Sequence, residues 1–134
     1  MADAAVVVET NKKLSSLRQI KAAIVHLHQK EFEAAMTLAA AAEGQIPEGA
    51  IDHLFRILRR WAPQDDFNLF INWLKHSSGP DGAVISEFEV ALTIARAIHK
   101  FVAIYKASCQ EFEDFSQWAV AKGHIPRPLT KAAD

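Results

Sequence analysis

The chain lacks the residues from which many small proteins build covalently linked or metal-held cores. It contains one cysteine, Cys109, in 134 residues. A single cysteine excludes an intrachain disulfide and a thiolate metal cluster, and it suits a reducing compartment. No apolar run approaches the roughly 18 residues that span a bilayer, and the N-terminal apolar run is too short for a signal peptide. We therefore expect a cytoplasmic protein that has no membrane partner.

A strong charge of either sign is also lacking. Fifteen Lys and Arg residues stand against sixteen Asp and Glu residues, for a formal net charge of -1. This balance argues against a strong overall attraction to nucleic acid, although it allows a local basic patch. Phosphate-cradling glycine loops, a nucleophile elbow and a dinucleotide fingerprint are missing as well. The sequence predicts no cofactor.

Metal-ligand patterns are likewise missing. His26 and His28 lie two residues apart, so on a helix they point in different directions and cannot share a metal. The lone histidines have no carboxylate at a metal-ligand spacing, and no Glu-x-x-His motif of a di-iron bundle occurs. The sequence predicts no metal site.

Helical periodicity is what the chain has in abundance. Half of its residues are hydrophobic, and no segment alternates as a half-buried strand does. The pattern predicts an all-α fold, an antiparallel helical bundle of four main helices plus one or two short ones. We expect a single domain over residues 1–134, with an ordered core at about 11–123 and a flexible tail at 124–134.

Helix ends are predicted from local signals. Thr10 is the expected N-cap of the first helix, and Gly44 and Gly123 are the expected stops of the second and last helices. Ser86 and Ser108 each precede a glutamate by three residues, which predicts a capping box at two helix starts. The predicted helices cover about 11–30, 31–43, 47–61, 66–76, 86–105 and 109–122.

The most organised polar face lies in residues 66–76. Its apolar side chains share one side of the predicted helix: Phe67, Phe70, Ile71 and Leu74. Its polar side chains follow on the other side: Asn68, Asn72, Lys75 and His76. We interpret the polar row as a candidate binding face, and an ordinary solvated surface is the alternative.

Glu43 is a second candidate, because it ends an otherwise apolar, alanine-lined helix. There a carboxylate can be partly buried against a cation such as Arg56 or Lys75, or it can be a solvated helix-end acid. Both interpretations are open at this point. We expect a structural role for Glu43, one that ties the second helix to the Asn/His helix, rather than catalysis.

Three runs of the chain resemble segments of uncharacterised bacterial HEPN-like proteins. They are Phe32-Glu33-Ala34-Ala35-Met36-Thr37-Leu38-Ala39-Ala40-Ala41-Ala42-Glu43-Gly44, Asn72-Trp73-Leu74-Lys75-His76 and Ala95-Arg96-Ala97-Ile98-His99-Lys100-Phe101. The similarity covers roughly residues 15 to 120. HEPN domains are helical bundles that are commonly dimeric, so the resemblance implies a homodimer.

The resemblance also implies where a catalytic site would lie. Many HEPN domains are metal-independent ribonucleases in which an arginine holds the scissile phosphate and a histidine moves the proton. On this chain the polar residue of that motif is Asn72 and the histidine is His76, but Ile71 stands in the place of the arginine. An arginine from a neighbouring helix would have to replace it: Arg59, Arg60 or Arg96.

The sequence favours a non-catalytic HEPN-like bundle that binds a ligand or partner. Its contact residues would be Asn68, Asn72, Lys75 and Glu43, together with His76. One alternative is a ribonuclease with His76 as the acid/base and an arginine supplied by another helix or subunit. A further alternative is a helical protein–protein adaptor. The expected partners are a second copy of the chain and either RNA or a nucleotide, or another protein.

Overall fold

Four α-helices make up the described part of the protein. The computed structural model describes residues 5–47, 74 and 79–129, and no strand occurs among them. We name the helices α1 (Lys12–His28), α2 (Phe32–Gln45), α3 (Glu87–Tyr105) and α4 (Gln110–Ala121). The predicted all-α class is confirmed for these residues. The predicted helix at 47–61 lies outside them, as does all of 66–76 except Leu74.

Helix α1 begins one residue later than the sequence predicts. Its N-cap is Asn11, whose side-chain oxygen accepts a hydrogen bond from the Leu14 amide at 2.8 Å. Thr10 is therefore not the cap, because Asn11 already satisfies a first-turn amide. The helix ends in a Schellman motif, in which the amides of Lys30 and Glu31 bond the carbonyls two and three residues before the C-cap at 3.0 and 2.9 Å. Lys30 takes the left-handed conformation there, with φ of +64°.

Helix α2 runs past its predicted stop. Gly44 is helical, and the helix continues to Gln45 with Ile46 as the C-cap. Ile46 has an extended backbone, with φ of -80° and ψ of 131°. The residue before a proline is driven out of the helical region, so Pro47 ends this helix rather than Gly44.

Helix α3 is buried on all sides. All residues from 90 to 98 are buried, and they include both polar and apolar side chains. Its start is as predicted, because the Ser86 hydroxyl accepts a hydrogen bond from the Glu89 amide at 3.1 Å. The same hydroxyl donates to the Glu89 carboxylate at 3.1 Å. A helix that is apolar around most of its circumference is the central helix of a core.

Helix α4 begins at a different residue from the predicted one. Cys109 is its N-cap and makes no side-chain capping bond, so the predicted capping box at Ser108 is wrong. Ser108 lies one residue too early for its hydroxyl to take the position of the cap. Gly123 follows the helix with φ of +79°, which confirms it as the stop. Phe112 and Phe115 are fully buried on the face that α4 turns to the core.

Contacts along the helices give their directions. Lys21 pairs with Glu111 at 2.7 Å, and seven residues later on both helices His28 meets Trp118 at 4.9 Å between ring centroids. Helices α1 and α4 are therefore parallel. Helix α2 returns antiparallel to α1, since the turn between them has only three residues and Gln45 donates to Gln19 at 3.1 Å.

Helix α3 is antiparallel to α1. The Lys13 ammonium, at the start of α1, lies over the ring of Tyr105, at the end of α3, at 5.8 Å from its centroid. Helices α2 and α3 are consequently parallel to each other. The two pairs joined by short connections, α1 with α2 and α3 with α4, are antiparallel, which is the direction that such connections favour. The parallel pairs, α1 with α4 and α2 with α3, are not joined by short connections.

The chain after α4 packs back on the bundle. Ile125 is buried, and the Leu129 amide donates to the Ser116 hydroxyl at 2.7 Å. The sequence predicts a flexible tail from residue 124. The described part of that tail, residues 124–129, instead lies against α4, because Ile125 and Leu129 supply apolar contacts to the core.

Candidate functional site

Most of the predicted contact face lies in the part of the chain that the structure leaves undescribed. This applies to the residues Asn68, Ile71, Asn72, Lys75 and His76. Leu74, from the same segment, is helical and partly buried against the core. Its position agrees with the apolar stripe that the sequence predicts for this segment.

Glu43 is held in a buried ion pair between α2 and α3. The Arg96 guanidinium donates from Nη2 to the Glu43 carboxylate at 2.8 Å. The side chain of Arg96 is 6% exposed and that of Glu43 is 12% exposed. Of the two interpretations that the sequence leaves open for Glu43, partial burial against a cation is the one observed. Arg56 and Lys75, the cations that the sequence suggests, lie outside the described residues.

Lys100 joins the same group of charges. Its ammonium donates to the backbone carbonyl of Glu43 at 2.9 Å, and the residue is buried. That carbonyl belongs to the last turn of α2 and also accepts a hydrogen bond from the Ile46 amide at 3.2 Å, so Lys100 supplies a second donor. A cation at this point also lies favourably at the negative end of the helix dipole. Lys100 thus caps α2 from a neighbouring helix.

Small residues allow this contact to form. The buried face of α2 includes three alanines with no exposed surface, Ala35, Ala39 and Ala42. Alanine adds almost no bulk, so the backbone of α2 can approach its neighbours closely. We name Glu43, Arg96 and Lys100 the charged joint, because together they connect the end of α2 to the middle of α3.

The charged joint is suited to holding helices together. Desolvating an ion pair is costly, and the pair is stable only while both partners remain in place. The Glu43 carboxylate is bonded to a guanidinium and largely screened from solvent, which leaves little room for a substrate to reach it. The sequence identified Glu43 but not Lys100. The sequence feature that indicates these two cations is their spacing: Arg96 and Lys100 lie four residues apart within an apolar helix, so they share one face of it.

A second cluster lies at the opposite end of α3. The His124 imidazole donates from Nε2 to Glu87 at 2.7 Å, and Lys122 lies 3.5 Å from the same carboxylate oxygen. The ring of His124 also contacts Phe88 at 5.9 Å and Trp118 at 5.5 Å between centroids. The hydrogen bond from His124 lowers the pKa of Glu87, and the charge of Lys122 acts in the same direction.

The sequence treats His124 as a lone histidine, and the structure gives it partners from two helices. Glu87 lies 37 residues away along the chain, so no local spacing could indicate the pairing. The position of His124 follows from the end of α4. Its amide bonds the Ala119 carbonyl at 2.8 Å, and the Gly123 amide bonds that of Val120 at 3.0 Å, which is a Schellman motif. This motif turns His124 back onto the bundle.

Exposed ion pairs complete the described electrostatics. The hydrogen bond and charge of Glu111 raise the pKa of Lys21, and the hydrogen bond from Lys21 lowers the pKa of Glu111. Both side chains are more than two-fifths exposed. Solvent screening makes such pairs weak contributors to stability.

Neither a metal-binding cluster nor a membrane-spanning helix occurs in the described ranges. Within residues 5–47, 74 and 79–129, no group of three or more His, Cys, Asp or Glu side chains could hold a metal ion. None of the helices described here is long and apolar enough to cross a bilayer.

Comparison of the chain with protein-family models, with curated proteins and with solved structures finds no match.

Proposed function

We propose that the protein acts by binding a ligand or partner rather than by catalysis, as a homodimeric HEPN-like bundle of the cytoplasm. The observation that carries this proposal is the buried pair of Glu43 and Arg96. Two residues that a reaction could use are engaged inside the bundle. The single free cysteine supports the choice of a reducing compartment.

Arg96 matters because a ribonuclease of this type needs an arginine in place of Ile71. It is the candidate that the structure describes, since Arg59 and Arg60 lie outside the described residues. Its guanidinium donates to Glu43 and is almost fully buried. Removing one partner of a buried pair costs about 3–5 kcal/mol, so moving Arg96 to a phosphate would carry a cost of that order.

In this proposal Glu43 stabilises the bundle that carries the site, and it does not itself contact the ligand. Its carboxylate accepts from Arg96, and its backbone carbonyl accepts from Lys100. The proposed contact face is therefore the polar row of the 66–76 segment, namely Asn68, Asn72, Lys75 and His76.

The chemistry of this row fits RNA or a nucleotide. Side-chain amides donate to and accept from base edges, and a lysine ammonium binds phosphate. A histidine can contribute a hydrogen bond or stack on a base. The near-neutral net charge indicates local contacts rather than a broad electrostatic surface.

One assay separates binding from cleavage. Wild-type protein, His76→Ala and the control His26→Ala are incubated with a short, labelled, single-stranded RNA of mixed sequence in EDTA. We expect intact RNA in every sample and binding to the wild type by fluorescence anisotropy. His76→Ala should weaken binding about tenfold, since about 1.4 kcal/mol, near the upper end of the net contribution of one ordinary hydrogen bond, is a tenfold change in affinity.

The control variant removes a histidine of a different helix. His26 pairs with Glu31 at 2.7 Å and lies outside the proposed face, so His26→Ala should bind RNA as the wild type does. RNA cleavage that disappears in His76→Ala would establish the ribonuclease instead. An absence of RNA binding, with a protein partner recovered after nuclease treatment, would favour the adaptor. Light scattering of the same sample should give the mass of a dimer.

A further inference from the structure

The segment that follows α4 is held on the bundle by three kinds of contact. Ile125 is 3% exposed and belongs to the hydrophobic core. The Leu129 amide donates to the hydroxyl of Ser116, a residue with no exposed surface. His124 reaches across to Glu87 in the first turn of α3. We name residues 124–129 the terminal strap.

The contact between His124 and Glu87 differs from the other two because it includes a carboxylate whose pKa is lowered in the folded protein. This contact joins the strap to α3, whereas the bond from Leu129 to Ser116 joins it to α4. The His124 side chain is 14% exposed and lies against the rings of Phe88 and Trp118. Partial burial strengthens a charge-assisted hydrogen bond relative to one in water.

We propose that His124 and Glu87 form an acid-sensitive latch, which fixes the terminal strap across the ends of α3 and α4 and releases it on acidification. The proposal concerns the opposite end of α3 from the charged joint, and it is independent of the proposed function.

The charged and titratable groups around the latch come from every described helix that meets it. Lys122, which follows α4, lies 3.5 Å from Glu87 and also favours the ionised carboxylate. Helix α1 contributes His28, whose ring stands at 90° to Trp118 at 4.9 Å. Trp118 is therefore contacted by two imidazoles, His28 from α1 and His124 from the strap.

The direction of the pH effect follows from Glu87. Its pKa is lowered in the folded protein, chiefly by the hydrogen bond from His124. The ionised carboxylate therefore contributes stability above the ordinary pKa of a glutamate, and this contribution is lost as pH falls through the lowered value. Once Glu87 is neutral, its carboxyl is a weaker acceptor for the hydrogen bond from His124, and the Lys122 ammonium loses its counter-charge.

Amide hydrogen exchange at Leu129 reports the state of the strap directly. The measurement compares the protection of the Leu129 amide with that of Ile98, a fully buried residue of α3, between about pH 6 and about pH 3.5 after correction for intrinsic exchange. In the wild type the ratio of Leu129 protection to Ile98 protection should fall about fivefold between about pH 6 and about pH 3.5. A fivefold change is about 1 kcal/mol, which is the contribution expected of a partly exposed ion pair. Global unfolding would lower the protection of both amides together, so a change in their ratio reports on the strap alone.

Two variants test the assignment to Glu87. Glu87→Gln has the shape of the neutral acid, so the protection ratio should already be low at pH 6 and should no longer change with pH. Glu111→Gln is the matched control, because its carboxylate also has a lowered pKa but pairs with Lys21 away from the strap. It should retain the wild-type pH dependence. A Glu87→Gln protein that keeps the wild-type dependence, or a wild-type ratio that does not change, would overturn the proposal.

Discussion

Ser86 and Ser108 occupy the same place in two similar sequence patterns, each three residues before a glutamate. In the structure only Ser86 caps a helix, and its hydroxyl accepts from the Glu89 amide. Ser108 is exposed and precedes the actual N-cap, Cys109. A local pattern therefore identified that a helix begins nearby, while the exact cap depended on where the following helix meets the core.

This difference gives a matched pair of substitutions. Ser86→Ala should lower the free energy of unfolding by about 1 kcal/mol, because a first-turn amide of α3 loses its acceptor. Ser108→Ala should change it by less than about 0.5 kcal/mol, as expected for an exposed side chain that makes no cap. Urea denaturation of the two variants and the wild type measures both values. Equal losses in the two variants would show that the assigned caps are wrong.

At the scale of the helix, α2 depends on how little space its side chains fill. Three of its six alanines, Ala35, Ala39 and Ala42, are fully buried where the helix meets its neighbours, and the other three are half-buried or exposed. Alanine also has the highest helix propensity, so the same residues favour the helix and permit close packing. The sequence predicted this helix well. Its final residues were misjudged because Pro47, acting on Ile46, ends the helix after Gly44.

Two adjacent alanines test the packing of α2. Ala42 is fully buried and Ala41 is exposed. Ala42→Leu should lower the free energy of unfolding by about 1–3 kcal/mol, because the added atoms must displace packed neighbours. Ala41→Leu should stay within about 0.5 kcal/mol of the wild type. Thermal and urea denaturation check the pair, and a tolerated leucine at Ala42 would contradict the close approach of α2 to the core.

At the scale of the whole molecule, the helical periodicity predicted the fold class, because each amphipathic segment carries its own signal of burial. The partners across the bundle could not be predicted in the same way. Glu43 and Arg96 are 53 residues apart, and His124 and Glu87 are 37 residues apart. Such pairs are set by how the helices pack, which no local spacing records. The sequence did indicate that Glu43 is unusual, since a carboxylate at the end of an alanine-rich face requires either solvent or a cation.

The two clusters on α3, the charged joint at its middle and the contact of Glu87 with His124 at its first turn, differ in how far the sequence indicates them. The charged joint was partly visible in the sequence, since Glu43 and Arg96 both belong to runs that carry the HEPN-like resemblance. The contact of His124 with Glu87 was not, because it depends on the turn after α4 that Gly123 allows. In the first cluster a hydrogen bond between Arg96 and Glu43 joins α3 to α2, and in the second a hydrogen bond between His124 and Glu87 joins the terminal strap to α3.

In the proposed function, Glu43 and Arg96 hold α2 to α3 and take no part in a reaction. A double-mutant cycle on the free energy of unfolding measures this role, with Glu43→Leu, Arg96→Met and the double variant. Each single substitution removes one partner of the buried pair and should cost about 3–5 kcal/mol, and the double variant should recover most of that loss. The two singles would then be strongly coupled. If the losses of unfolding free energy simply add in the double variant, Glu43 and Arg96 do not stabilise the bundle as a pair.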